Sequence, residues 1–317
     1  MTGKEEPNLK GVILPFIIFT AIWGSTWIVI RSQIGGQLGG HIGAVPPQWS
    51  VAYRFIVAAA AMALVARFKG QSLALGWASA PAIGFLGFTQ FAVNFNAVYL
   101  AERYITSGVV ATVFALLLIP SSLLAWAMLG QKPNRRFLWG SLVAVAGVAL
   151  LFVHELREGS VAPRAIAIGI GWTLFGMIGA SIANVFQARP QIRHLPLFSL
   201  LAWSMAAGAL IDCLIALAVA GPPVIVSAPA YWLGLVYLAL FASVLAFSLY
   251  YPVVRRIGPA RAAYSSMIVP IIAMGFSTWL EAYQWAALTI AGALLVLAGM
   301  ALALSRSRTR IVAPDAA

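Results

Sequence analysis

Charged residues are scarce in this sequence: they make up 9% of its 317 residues, while 62% are hydrophobic and the mean hydropathy is +0.93. Soluble domains run at about a quarter charged and about half apolar, and so little polar material cannot cover a water-soluble surface. Cysteine is nearly absent as well. The single thiol, Cys213, lies inside an apolar run, which excludes an intrachain disulfide and leaves no cysteine-based metal or redox motif. All three histidines, His41, His154 and His194, fall in connectors. The sequence contains no His-Glu-x-x-His, no Gly-x-Ser-x-Gly elbow and no phosphate loop ending in Gly-Lys-Ser or Gly-Lys-Thr. No catalytic residue, metal or cofactor is therefore expected, and the chain is not expected to be an enzyme.

Long apolar runs are what the sequence does have. A bilayer core of about 30 Å needs about 20 apolar residues of helix, and ten runs of that order occur: 12–30, 49–66, 80–100, 106–129, 137–153, 165–187, 197–220, 231–254, 262–280 and 285–304. Short connectors with Gly and Pro separate them. Residues 1–11 are polar, and no Ala-x-Ala-like cleavage site follows the first run, so it reads as a span and not as a signal peptide. The expected fold class is an all-α membrane protein of ten transmembrane helices.

A net charge of +12 would suit nucleic acid, but the basic residues sit in short clusters between spans. They are loop charge, so the expected surroundings are a lipid bilayer, with no nucleic-acid partner. With the N-terminus cytoplasmic, Lys4, Lys10, Arg67, Lys69, Lys132, Arg135, Arg136, Arg189, Arg193, Arg255, Arg256, Arg261, Arg306, Arg308 and Arg310 fall inside. Only Arg31, Arg103, Arg157 and Arg164 fall outside, and Arg54 lies within a helix. Fifteen against four places both tails (1–11 and 305–317) in the cytoplasm and the 154–164 connector in the periplasm.

The two halves repeat each other. Pro120 to Gln131 in helix four matches Pro270 to Glu281 in helix nine at an offset of 150, and Trp23-Gly24-Ser25 in helix one matches Phe175-Gly176-Met177 in helix six at 152. With a two-residue gap, Gly140 and Gly147 in helix five meet Gly292 and Gly299 in helix ten, and Tyr99 to Arg103 meets Tyr251 to Arg255. Five spans per half is odd, so the second half enters the membrane from the opposite side. Such inverted repeats, here 12–153 and 165–304, place a substrate site between the halves in many secondary transporters.

The run Ala21-Ile22-Trp23-Gly24-Ser25-Thr26-Trp27, then Arg54-Phe55, Pro120, Gly140 and Gly147, with Pro270, Glu281, Gly292 and Gly299 in the second half, resembles the drug/metabolite transporter (DMT) superfamily, and within it the EamA family of ten-helix bacterial permeases. The resemblance spans essentially the whole chain. It implies a multi-pass protein of the bacterial inner membrane that exports amino acids or other metabolites without a cofactor. Gln131 departs from the pattern, standing where the first half would more usually carry an acid, whereas Glu281 keeps the acid in the second half.

Ionisable side chains inside a bilayer are costly and mark function by default. Arg54 in helix two and Asp212 in helix seven qualify, and as repeat-equivalent helices these two are expected to bring the pair together across a central cavity, with Arg54 holding a substrate carboxylate. Gln90, Asn94 and Asn96 in helix three and Asn184 and Gln187 in helix six are uncharged candidates; Asn94 and Asn96 cannot share a helix face, being two apart. Aromatic pore candidates are Trp23, Trp27, Tyr99, Trp172, Trp203 and Tyr250, with Ser25 beside them. Trp49, Trp77, Trp139, Tyr231, Trp232 and Trp285, near helix ends, read as interfacial anchors. Pro120 and Pro270 are hinge candidates, each removing one helical hydrogen bond.

The leading expectation is a secondary exporter of aromatic or neutral amino acids, monomeric, with facilitated diffusion favoured because membrane carboxylates are few. One alternative is a cation or drug exporter using Asp212, and another is a membrane-embedded enzyme or scaffold.

Overall fold

A computed structural model describes residues 10–34, 45–130, 132–158, 162–257 and 265–304. Residues 1–9 and 305–317 of the expected tails, Gln131, Arg261, His41 and the start of the ninth run at 262–264 lie outside the described residues, whereas Lys10 and Gly11, expected in the tail, begin α1. Without water in a bilayer core, each backbone N–H and C=O must be satisfied within its own segment, and helix is how an apolar run achieves this. The spans are α1 (Lys10–Gln33), α2 (Pro47–Phe68), α3 (Trp77–Ala101), α4 (Ser107–Leu129), α5 (Arg135–Glu158), α6 (Pro163–Gln187), α7 (Leu197–Ala220), α8 (Pro229–Val253), α9 (Ser265–Leu280) and α10 (Ala287–Leu304). Eight are long and apolar enough to cross a membrane, and α9 and α10 contribute the shorter apolar stretches Ile268–Leu280 and Ala287–Ala303. Leu14, Ile17, Leu64, Leu210 and Leu214 are exposed along the outer faces, as lipid-facing side chains are.

Helix packing follows the repeat. The equivalent pairs α2 with α7, α4 with α9, and α5 with α10 pack on each other; α1 packs on α8 as α3 does on α6, and α1 on α9 as α4 does on α6. Gly140 lies against Gly299, and Gly147 against Gly292, so residue numbers rise along α5 as they fall along α10. Equivalent helices that run antiparallel are what inversion of one half against the other produces. Gly24 likewise lets a helix approach: a Cβ there would lie 2.6 Å from Ile272 of α9.

Three spans expected to be uniform are not. Gly87–Val93 in α3 and Leu238–Leu245 in α8 are π-helical, at repeat-equivalent places, and α4 tightens to a 3₁₀ turn at Ala115–Leu117. The 3₁₀ turn contains Leu116, whose carbonyl loses its partner to Pro120 four residues on, so the proline's effect is local and visible. Pro270 stands in a helix that is α throughout Ser265–Leu280, so only one of the two hinge candidates coincides with a change of helix type.

The interfacial anchors divide. Trp77, Trp139 and Trp285 are exposed, but Trp49 and Tyr231 are buried in a cluster with Val45, Ala52 and Leu235. Each has an internal polar partner that removes its need for a headgroup: Trp49 Nε1 donates to the Gly221 carbonyl at 3.1 Å, and the hydroxyls of Tyr231 and Ser50 lie 2.9 Å apart.

Candidate functional site

A cavity of about 300 Å³ runs through the middle of the bundle, lined by α1, α2, α3, α4, α6, α8 and α9. That is the low end of the range for small-molecule sites, about 300–1,000 Å³. Its walls reach Leu129 and Ala188, at the ends of α4 and α6, on the face from which α1 starts. In the other direction they stop near Ile30 and Val98. The cavity thus approaches the N-terminal face and ends blind before the opposite, far face.

Arg54 projects into this space from α2 and is only 2% exposed. Its Nε donates to Ser243 Oγ at 3.1 Å, and Ser243 in turn donates to the Leu238 carbonyl at 3.0 Å within the wide turn of α8. Its guanidinium carbon lies 4.4 Å from the centre of the Phe95 ring and 5.4 Å from that of Phe55. Flat aromatic faces on a planar cation hold it rigid while leaving its edge free. That edge is incompletely used: Arg54 Nη1 is buried and has no hydrogen-bond partner. Trp27 Nε1, a second donor, and the oxygens Gln90 Oε1 and Asn94 Oδ1, two acceptors, are also buried without partners, and all three residues line the same cavity. Orphaned buried polar atoms are rare and costly; these four belong to residues that line one cavity, and they have both signs of hydrogen-bonding need.

The remaining wall is aromatic. Trp23 sits 4.9 Å centre to centre from Tyr250 and 5.6 Å from Phe247, and its Nε1 donates to the Ala242 carbonyl at 3.2 Å, in the wide turn of α8. Trp27 stacks at a tilt on Phe114, 5.4 Å away. Ser121, Ser122, Ser265 and Ser266 add hydroxyls toward the N-terminal face.

Of the residues singled out from sequence, Trp23, Trp27, Arg54, Gln90, Asn94, Asn184 and Tyr250 line the cavity together. The others lie elsewhere. Asp212 is fully buried between helices, accepting a 2.7 Å hydrogen bond from Asn96 Nδ2, and neither residue lines the cavity. The expected meeting of Arg54 with Asp212 does not occur; Arg54 takes Ser243, two rings and the neighbouring Tyr99 hydroxyl instead. Ser25 is satisfied by Tyr237 at 2.6 Å, and Tyr99 donates to Gln33 Oε1 at 3.0 Å, beyond the cavity's end. Trp172 packs edge-on against Phe175. Trp203 is 46% exposed on the outer surface, its Nε1 donating to the Leu73 carbonyl at 2.8 Å. Trp172 is half-buried against the core but off the cavity, and Trp203 faces outward; an apolar helix is apolar all round and nothing in its pattern marks the side that lines a cavity.

The far face holds a polar cluster that the sequence reading did not assemble. Arg31 pairs its Nε with Glu281 Oε1 at 3.4 Å. Glu281 also accepts hydrogen bonds from Ser107 Oγ at 2.6 Å and from Ser277 Oγ. Glu102, one residue past α3, is buried beside them. The signal was present in outline: Arg31 and Glu102 sit at span ends on one side, and Glu281 was the acid the repeat retained.

Known proteins resemble the chain along nearly its whole length. It is 22% identical over 300 residues to an uncharacterized transporter, YoaV, of Bacillus subtilis, covering 91% of this chain and 95% of that one. It is 26% identical over 301 residues to a probable amino-acid metabolite efflux pump of Salmonella typhimurium, covering 90% and 91%. A solved crystal structure superposes with a TM-score of 0.67 at 17% identity, covering 93% of this chain and 96% of that chain, and shares its fold. The model of the EamA-like transporter family matches twice, at residues 9–153 and 167–305, once in each half of the bundle. On that double match, over a cavity enclosed between two inverted halves, the protein belongs to the EamA-like transporter family.

Proposed function

We propose that the protein exports small zwitterionic metabolites, first among them neutral or aromatic amino acids, from the cytoplasm across the bacterial inner membrane by alternating access of its two halves. The observation that carries this reading is the set of unpartnered atoms on residues that line the cavity: Arg54 Nη1 and Trp27 Nε1 as donors, Gln90 Oε1 and Asn94 Oδ1 as acceptors. A carboxylate answers the first pair and an ammonium the second, and the Trp23, Phe247 and Tyr250 wall suits an apolar or planar side chain. With the basic loops cytoplasmic, the end of the cavity at Leu129 and Ala188 is the loading side. The Salmonella relative's description as a probable amino-acid metabolite efflux pump agrees with this chemistry. A cation or drug exporter would need an acid facing substrate; among the described residues no Asp or Glu lines the cavity, so that reading lacks its residue.

Counterflow in proteoliposomes tests the proposal. Vesicles preloaded with an unlabelled neutral amino acid should accumulate its labelled form, and protein-free vesicles should not. Absence of counterflow across a panel of neutral, aromatic and acidic amino acids would overturn it.

A further inference from the structure

Past the blind end of the cavity, helices from both halves are joined by polar side chains. Arg31 ends α1, Glu102 follows α3, Ser107 begins α4, and Ser277 and Glu281 end α9. Arg31 reaches two of the others, through its ion pair with Glu281 and through Nη1, which donates to the Glu102 backbone carbonyl. Glu281 also accepts a hydrogen bond from the Ser107 backbone N–H at 3.3 Å, besides the two serine hydroxyls. Cation and donors alike go to Glu281.

The Glu102 carboxyl receives none of them. Its side chain is fully buried, and neither carboxyl oxygen has a hydrogen-bond partner. An ionised carboxylate there would be a desolvated charge beside a second carboxylate, and both effects disfavour ionisation. Burial first, and then the charge of Glu281, push the Glu102 carboxyl well above the usual carboxylate range, against the opposing pull of Arg31 and Arg54. Other titratable groups nearby are Tyr99 on its own helix, and Arg103 and Tyr104, which follow it. Helix α6, packed on α3, carries one charged residue, Arg164, at its exposed first turn, and α5 brings His154, buried with its ring against Tyr283.

We infer that Glu102 is a proton-binding residue of a far-face gate: it keeps its proton while Arg31, Glu281 and Ser107 are joined, and releases it to far-face water when they part. This rests on the alternating-access reading, which requires the cluster to open once per cycle. It adds a proton ligand to a transporter whose few membrane carboxylates had favoured plain facilitated diffusion. An acidic far side then reprotonates Glu102, reseals the gate and returns the cavity to its loading state.

Gate opening can be measured without a substrate. In a Cys213→Ser background, Ala111→Cys places a thiol on the cavity wall one turn below Ser107. Spheroplasts expose the far face to a membrane-impermeant thiol reagent, which reaches that thiol only through an open gate. With Glu102 intact, the labelling rate should climb as the pH rises above the ordinary glutamate range, by up to about tenfold per unit. Glu102→Gln, fixed in the neutral form, should label slowly and equally at every pH once corrected for thiol ionisation against denatured protein; Glu102→Asp should keep the climb. A flat profile with Glu102 present, or a Glu102→Gln profile that tracks it, overturns the inference; should Glu102→Gln fail to fold, the wild-type and Glu102→Asp profiles decide. Counterflow that persists alongside a flat profile removes only the proton, whereas loss of both counterflow and labelling removes the transporter reading as well.

Discussion

Gly147 of α5 and Gly292 of α10 face each other backbone to backbone: a Cβ on Gly292 would lie 2.8 Å from the Gly147 carbonyl oxygen, and one on Gly147 would lie 2.5 Å from the Gly292 carbonyl oxygen. Small residues allow this approach in lipid, where packing drives helix association in place of hydrophobic burial. Neither carbonyl can yield as a flexible side chain would. Gly147→Val should therefore force the helices apart at a cost of about 1–3 kcal/mol or more, seen as a lower melting temperature in detergent. Gly275→Ala is the control, since nothing lies within 4 Å of a Cβ there, and its melting temperature should match wild type. Equal melting for Gly147→Val would mean that the α5–α10 contact is looser than described.

Ser243 holds Arg54 in place. It accepts the Arg54 Nε–H at 3.1 Å and fixes the guanidinium's rotation in the cavity. Ser243→Ala should raise the KM for carboxylate substrates about three- to tenfold, as loss of one hydrogen bond to a charged group does, at about 1–1.5 kcal/mol, with maximal flux nearly unchanged. An unchanged KM would show that the two aromatic rings and Tyr99 position Arg54 without Ser243.

Asp212 packs helices together, away from the cavity. Asp212→Asn keeps the shape of the side chain and an oxygen for Asn96, so counterflow should stay within about twofold of wild type. Asp212→Leu should destabilise the protein by about 1–3 kcal/mol, because it removes the carboxyl partner of Asn96 Nδ2 and leaves that amide only the Ala92 carbonyl. Abolished flux in a folded Asp212→Asn protein would place this acid on the transport path.

The pH dependence of the gate has a definite sign. Below about pH 4.3, the ordinary value for a hydrated glutamate, Glu102 is protonated in both sealed and open arrangements and favours neither. Between that value and the raised value of the sealed arrangement, sealing must recapture a proton, so each step upward in pH across that window favours opening, and above the raised value the dependence levels off. Flux limited by gate opening should rise as the far-side pH rises from about 5 toward neutrality, and Glu102→Gln should abolish this rise. A falling wild-type profile would contradict the assignment.

Ten spans and the inversion were legible in the sequence because hydropathy, the placement of Lys and Arg, and matched Pro and Gly positions do not depend on which way any side chain points. Rotation about each helix axis was not legible. Arg54 and Asp212 carry equal weight as membrane charges, yet one faces the cavity and the other faces Asn96, a difference of helix rotation that uniformly apolar flanks do not encode. Helical spacing did separate Asn94 from Asn96, since two residues apart means different faces, and Asn94 alone lines the cavity. The π turns of α3 and α8 use the same apolar residues as α-helix, so their positions emerge only from packing. Glu102 was hidden by its place at a span end, where an acid beside Arg103 reads as loop; its burial is tertiary.

The central claim, that Arg54 binds the carboxylate of a zwitterionic substrate in this cavity, is tested most directly by counterflow of a labelled neutral amino acid competed by the same compound as its amide and as its decarboxylated amine. With Arg54 present, the parent amino acid should compete at least about tenfold better than either analogue, the worth of one charge-assisted pair. Arg54→Lys should shrink that preference, and Arg54→Ala should erase it. Equal competition by all three compounds in the wild type, or a preference that survives Arg54→Ala, would contradict the account.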